Sequence, residues 1–399
     1  SGYATGRGGF EFTAEVGSTL EQRSSLFDSP FFTPDAVSHQ DYVAHFSDSN
    51  LLVPGTNIPI NNHTQPLKLG VTMETFNWNY SFSDFFVILN FEVTNTSRNT
   101  IDSVYFGLWT NTVVRNTNVT PAGSGGAAFY NKGGNGFLDT FNMAYCYDHS
   151  GDVGFTESYI GQKFLGAEDK SGFKHPSLDP SFKAHYNAWE FNNTTNPVFF
   201  LPNSEQARYG KLTAGLNHHQ CWDQNSSQNG NCGAKSFKEQ LNDAGNRADL
   251  LSVGPFRSMA PGETIKVAYA FVLGKKLEDG EPNSVNSAYQ QTIIRDNADW
   301  AQVAYNGEDK NFNGVLDPDE DANNDGEITR FILPAPPNIP NTKIVTNQNS
   351  IDIYWSDNAE ESVDPITLEK DFEGYRIYMT QLGFDVTKVP SLATDLKKI

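Results

Sequence analysis

Between residues 68 and 111 side-chain character changes at every second position, and that period limits the fold more than any other feature of the chain. Val71, Met73, Thr75 and Asn77 alternate with Thr72, Glu74, Phe76 and Trp78, so the two sets face opposite sides of a pleated strand. The runs FFVILNFEV (85–93) and DSVYFGLWT (102–110) complete three strands. The turn-forming cluster TNTSRNT (94–100) between the last two suits a hairpin in an antiparallel sheet. From 115 to 250 the pattern breaks into short aromatic-rich pieces divided by Gly and Asn. It resumes at DLLSVGPF (249–256), turns at APGET (260–264) and continues through IKVAYAFVLG (265–274), a second expected hairpin. Only 285–305 reads otherwise: Ile293, Ile294, Ala298, Ala301 and Ala304 share one helical face, predicting a helix against an edge or end of a sandwich.

The composition agrees with a secreted β-protein. Hydrophobic residues make up 38% of the 399 positions, enough for sizeable cores, and Phe (29) outnumbers Lys plus Arg (28). With only 19% charged residues the surface must be rich in Asn, Ser, Thr and Gly. A net charge of −20 lacks the cationic field that displaces counterions from phosphates, which argues against nucleic acid and anionic lipid as partners. Apolar runs such as 85–89 and 267–273 are far shorter than the roughly 18 residues of a membrane span, so no direct membrane insertion is expected. The chain opens at Ser1 without a charged-then-apolar leader, as expected of a processed or partial chain.

Cys221 and Cys232 bracket the polar loop CWDQNSSQNGNC, whose Asn, Ser and Gly can turn the chain back, so a disulfide is expected there with Cys146 free.

The sharpest chemical signal begins at Asp309. In DKNFNGVLDPDE the oxygen-bearing side chains Asp309, Asn311, Asn313, Asp317 and Glu320 fall at positions 1, 3, 5, 9 and 12, with Gly314 at 6 and the Val315 carbonyl at 7. Calcium takes six to eight hard oxygen ligands, and a carboxylate at position 12 can grip through both oxygens. A second loop follows at once, with Asp321, Asn323, Asp325, Gly326 and Glu327 in the matching slots, but its twelfth residue is Ile332. Pro334, Pro336 and Pro337 preclude an exiting helix, so the pair cannot open as a helix-pair switch. Bound Ca2+ is expected instead to neutralise a crowded acidic segment and stiffen it as an interdomain linker.

After this segment come PAPPNIP (334–340), KIVTNQNSIDIYW (343–355), with Trp355 as the expected core anchor, and KDFEGYRIYMT (370–380), read as a strand. The order of these motifs resembles the junction in large exported proteins of Gram-negative bacteria that use the type IX secretion route, where calcium-type loops precede a fibronectin type III domain. Upstream, residues 83–111, 159–167 and 250–274 are similar to the β-rich ectodomain preceding that junction. The resemblance implies export and an extracellular or outer-surface location. It also implies a mostly β architecture of three parts: a large antiparallel β-sandwich ectodomain (1–305) with one peripheral helix, a tandem calcium-loop linker (306–333) and a fibronectin type III-like, Ig-like sandwich (334–399). The last is incomplete, because that module needs seven strands over about 100 residues.

No HExxH, GxSxG, P-loop or helix-opening GxGxxG occurs. The Gly-rich stretch 123–136 lacks the Lys-Ser/Thr ending of a phosphate cradle, and Asp148, His149 and Asp152 read more readily as an Asx turn than as a site. Trp78, Tyr80, Trp109, Trp189 and Trp222 could stack on sugars but more readily fill a core. The expected function is therefore a non-enzymatic structural or adhesive surface protein. Its expected partners are other cell-surface or matrix proteins, glycans, or further domains of the same chain. The alternative is a glycan-binding accessory region of a larger secreted enzyme.

Overall fold

The computed structural model describes residues 10–61, 63–118, 129–149, 157–190, 196–202, 204–366, 368–379 and 397–398. The chain divides into two compact units, Ser1–Asp317 with Ile328–Ile332, and Pro318–Glu327 with Leu333–Ile399.

The strands of the first unit, in chain order, are β1 (Glu21–Arg23), β2 (Gln40–Ser47), β3 (Leu69–Asn77), β4 (Phe86–Asn95), β5 (Ile101–Thr110), β6 (Gly133–Leu138), β7 (Met143–Asp148), β8 (Ser158–Asp169), β9 (Gly172–Lys174), β10 (Lys183–Glu190), β11 (Arg247–Met259) and β12 (Thr264–Lys275). Among the described residues they form a nine-stranded antiparallel sheet, ordered β1-β2-β3-β4-β12-β8-β7-β6 with β9 on β8, and a three-stranded sheet β10-β11-β5. Alternate residues of both sheets meet in one core: Val71, Phe91, Val93, Phe164, Val267 and Tyr269 from the larger, Ala184, Tyr186, Leu251, Val253 and Phe256 from the smaller. The fold is a mostly β, antiparallel sandwich.

The two expected hairpins are corrected by this topology. β4 pairs with β3 and β12, whereas β5 pairs with β11 in the other sheet. The 260–264 turn likewise carries β11 of the small sheet over to β12 of the large one. Both connections are arches between sheets. Turn residues specify that the chain reverses; they carry no information on whether the next strand pairs beside its predecessor or opposite it.

Asn95, fully buried, ties the two arches together. Its Nδ2 donates to the carbonyls of Asn99 and Met259, both at 2.8 Å, and its Oδ1 accepts from Ser97 N–H at 3.0 Å. Polar bonds also cross the core: Thr110 Oγ1 on β5 donates to Gln162 Oε1 on β8 at 3.0 Å, and Tyr269 O–H on β12 donates to the Leu251 carbonyl on β11 at 3.1 Å. Such pairs fix the register of one sheet over the other.

Other helices precede the expected one. Helix α1 (Glu205–Thr213) starts at Ser204, whose side chain accepts from Ala207 N–H. Helix α2 (Phe237–Asn242) starts in a capping box between Ser236 and Glu239. Helix α3 (Thr292–Asn306) is the predicted helix, shifted toward the C-terminus. It buries Ile294, Ala298, Ala301, Ala304 and Tyr305 and packs on β12, β8 and β4. Close approach requires glycine beneath it, since a Cβ at Gly274 would lie 2.6 Å from Ile294 Cα. Cys221 and Cys232 form the expected disulfide, with Cα atoms 5.4 Å apart, and Cys146 is free and buried.

In the second unit β13 (Thr342–Thr346) and β14 (Ile351–Trp355) form an antiparallel pair, and β15 (Tyr378–Met379) pairs with β16 (Lys397–Lys398). Residues 370–377, expected as part of a strand, are not in one. Trp355 is not the expected buried anchor: it is 41% exposed and packs on Tyr375 at 5.5 Å, because among the described residues no second sheet covers this hairpin.

Candidate metal centre

The two acidic loops fold alike because their sequences repeat at a spacing of twelve. In the first, Asp309 Oδ1 accepts from Asn313 N–H at 2.9 Å and Oδ2 from Gly314 N–H at 3.0 Å. In the second, Asp321 Oδ1 accepts from Asp325 N–H at 3.1 Å and Oδ2 from Gly326 N–H at 3.2 Å. Positions 3 and 5 follow suit. Asn311 Oδ1 caps Asn313 N–H and Asn313 Oδ1 caps Val315 N–H, while Asn323 Oδ1 caps Asp325 N–H and Asp325 Oδ1 caps Glu327 N–H. Position 4 is left-handed in both, at Phe312 (φ 58°) and Asn324 (φ 59°), as is position 6, at Gly314 (φ 75°) and Gly326 (φ 79°). Two backbone turns in succession bend the chain around the side chains of positions 1, 3 and 5.

Four predicted ligands of the first loop come together. Asn311 Nδ2 and Asn313 Nδ2 both donate to Asp317 Oδ2, at 2.7 and 3.0 Å, beside the buried Asp309 carboxylate. Val315, the seventh residue, is exposed; Glu320, the twelfth, is buried and belongs to the second unit. In the second loop Asn323 Nδ2 donates to Asp325 Oδ2 at 3.0 Å, and Asn323, Asp325 and Glu327 are all exposed. Ile332 offers no donor at position 12. The donor set of the first loop, two carboxylates and two carboxamides with a main-chain carbonyl, fits a hard, oxygen-seeking cation of the calcium type. Among the described residues no group of three or more His, Cys, Asp or Glu is arranged to hold a metal.

The first loop is built onto the sandwich. Phe312 packs edge-on against Phe173 of β9 (5.1 Å) and His175 (4.8 Å). Arg330 lies over the rings of Phe173 (4.6 Å) and Tyr305 (4.8 Å), donates from Nε to Glu168 at 2.6 Å, and brings Nη2 to 3.5 Å from Asp309 Oδ2. Glu308 N–H donates to the Thr329 carbonyl at 3.0 Å, and Thr329 N–H donates to the Glu308 carboxylate at 2.9 Å. Sequence spacing indicated the loops but gave no sign of these anchors, which come from four separate segments.

The remaining polar candidates serve the core. Asp148 forms a buried two-point ion pair with Arg115 Nη1 (2.8 and 2.9 Å), which explains its carboxylate without invoking chemistry; Asp152 lies outside the described residues. Asp249 of β11 accepts from Tyr186 O–H at 2.6 Å and from Asn135 Nδ2 at 2.7 Å, and burial pushes its carboxyl up to about 7. Burial lowers His175 and His185 to about 4 each, helped by Lys163 and by His218 respectively. Trp78, Trp189 and Trp222 are buried, and Trp109 stacks on Trp189 at 6.3 Å.

These features define an antiparallel β-sandwich with a disulfide and two acidic loops of like geometry. The chain matches no protein-family model and no curated protein. No helix among the described residues is long and apolar enough to cross a membrane.

Proposed function

We propose that this protein is a non-enzymatic structural or adhesive component of the outer surface of a Gram-negative bacterium, exported by the type IX route. In this reading the paired loops take Ca2+ and stiffen the junction between a sandwich ectodomain and a fibronectin type III-like module. The observation that carries the calcium reading is the shared geometry of the two loops: the same carboxylate-to-backbone bonds and the same left-handed positions, with Asp317 joined to Asn311 and Asn313 in the first. The disulfide is in keeping with an oxidising compartment. Once bound, the ion would supply positive charge among Asp309, Asp317 and Glu320. Asn311, Asn313 and the Val315 carbonyl would complete the shell, and sites of extracellular modules commonly fill at roughly 0.1–1 mM.

Calorimetric titration of the metal-stripped chain with calcium tests the reading. Glu320→Gln should weaken the stronger site at least tenfold, while Ile332→Ala should leave both sites unchanged, because Ile332 supplies no ligand. Limited proteolysis should cut within 306–333 faster when calcium is chelated. Equal cutting rates with and without chelator would refute the stiffening role, and selective binding on a glycan array would favour the accessory-module alternative.

A further inference from the structure

The anchors around the first loop suggest a second consequence of metal binding, one that rests on the calcium reading above. Asp309, the first ligand, is fully buried against the sandwich, and Arg330 beside it lies over the rings of Phe173 and Tyr305 with Nη2 3.5 Å from the Asp309 carboxylate. Phe312 sits on β9 and its neighbour, a Cβ at Gly314 would meet Phe173 at 2.6 Å, and residues 308 and 329 are bonded in both directions. The second loop has no such set: Asn323, Asn324, Asp325, Gly326 and Glu327 are exposed, and nothing lies within 4 Å of where a Gly326 Cβ would stand.

We propose that the first loop is a structural-ion site of the sandwich itself: its occupancy is linked, through Phe312 and Arg330, to the folding of β8, β9 and α3. An ion that binds only the folded loop stabilises whatever unfolds together with that loop, by a factor of 1 + [Ca2+]/Kd. A loop that merely tethered two units would open alone and pass none of that factor to the sandwich. Phe312 and Arg330 are the positioning residues, since they join the ligand segment to three elements of the core.

The test is hydrogen exchange on the full chain, stripped of metal and then held at free calcium 100-fold above the Kd found by calorimetry. The slowest-exchanging amides of β8 and β12, which open only with the whole sandwich, should exchange about 100-fold more slowly with calcium. In Phe312→Ala, calcium should still bind, more weakly. The protection transmitted to β8 and β12, at the same multiple of that variant's own Kd, should fall to a few-fold. Phe312→Leu should recover part of it, because leucine restores apolar packing, and Arg330→Met should lose it while still covering the Phe173 and Tyr305 rings. Calcium binding that leaves β8 and β12 exchange unchanged would overturn this inference alone; absence of calcium binding would overturn the calcium reading and this inference together. Full transmission in both Phe312→Ala and Arg330→Met would overturn the assigned route.

Discussion

Asn95 shows how much one side chain can settle. It terminates β4 and, itself fully buried, bonds three main-chain groups belonging to both arches. Replacing it with alanine strands the buried Met259 carbonyl, at about 1–3 kcal/mol, and removes the bonds to the more exposed Asn99 carbonyl and Ser97 N–H, worth about 0.5–1.5 kcal/mol each. Asn95→Ala should therefore lower stability by about 2–4 kcal/mol in urea denaturation, with the m-value unchanged. A loss below 1 kcal/mol would mean that the arches are held by their backbone bonds alone. Nothing in TNTSRNT distinguishes this asparagine from Asn99, because the distinction lies in the position of Met259, 164 residues away.

Helix α3 is an element whose docking depends on what the sheet lacks. Its alanines and Ile294 form the apolar stripe seen in the sequence, and Gly307 ends it with a positive φ and an N–H donated to the Val303 carbonyl. Gly274→Ala would push a methyl group against the α3 backbone, which cannot give way as a flexible side chain would. Such overpacking typically costs about 1–3 kcal/mol, and faster amide exchange confined to α3 and β12 would locate the damage. Gly210→Ala is the converse case, since Gly210 lies exposed within α1 with open space around it. There alanine should stabilise by about 0.5–1 kcal/mol. A thermal-denaturation series including both variants should show opposite shifts; shifts of the same sign would contradict the packing argument.

At the scale of the whole molecule, opposing buried groups shape the response to pH. Asp249 has a folded value of about 7 against roughly 4 when unfolded, so the folded chain holds its proton more tightly. Its contribution is full below about pH 4 and is lost as pH rises through 7. His175 and His185, depressed to about 4, act the other way: their contribution is full above about pH 6.5 and is lost as pH falls through 4. Asp249→Asn removes the first effect and leaves the second. Relative to the parent chain, the variant should gain about 1.4 kcal/mol per pH unit between pH 4 and 7, measured by urea unfolding across that range. A difference that stays constant with pH would mean that Asp249 does not titrate in this window. Tyr186 and Asn135 hold this carboxyl, and their hydrogen bonds together with the positive charge of Arg247 offset part of the effect of burial.

The sequence by itself determined what depends on neighbours a few residues away. Period-two alternation and β-rich runs marked strands at 71–78, 85–93, 102–110, 249–256 and 265–274, a helical stripe marked a helix within 285–305, a polar loop between two cysteines marked the disulfide, and a twelve-residue spacing marked the paired loops. The two short helices were not foreseen, although Ser236 with Glu239 three residues later forms a capping box and Ser204 an N-cap, because both lie in the stretch where strand pattern fails. Tertiary structure alone decided which sheet each strand joined, that Asp148 would meet Arg115 and Asp249 would meet Tyr186, and that Phe312 and Arg330 would seat the first loop on β9 and α3. An alternating strand presents the same apolar face whether its partner is adjacent or opposite. The choice rests on backbone bonds and packing between residues far apart in the chain, which no local spacing encodes.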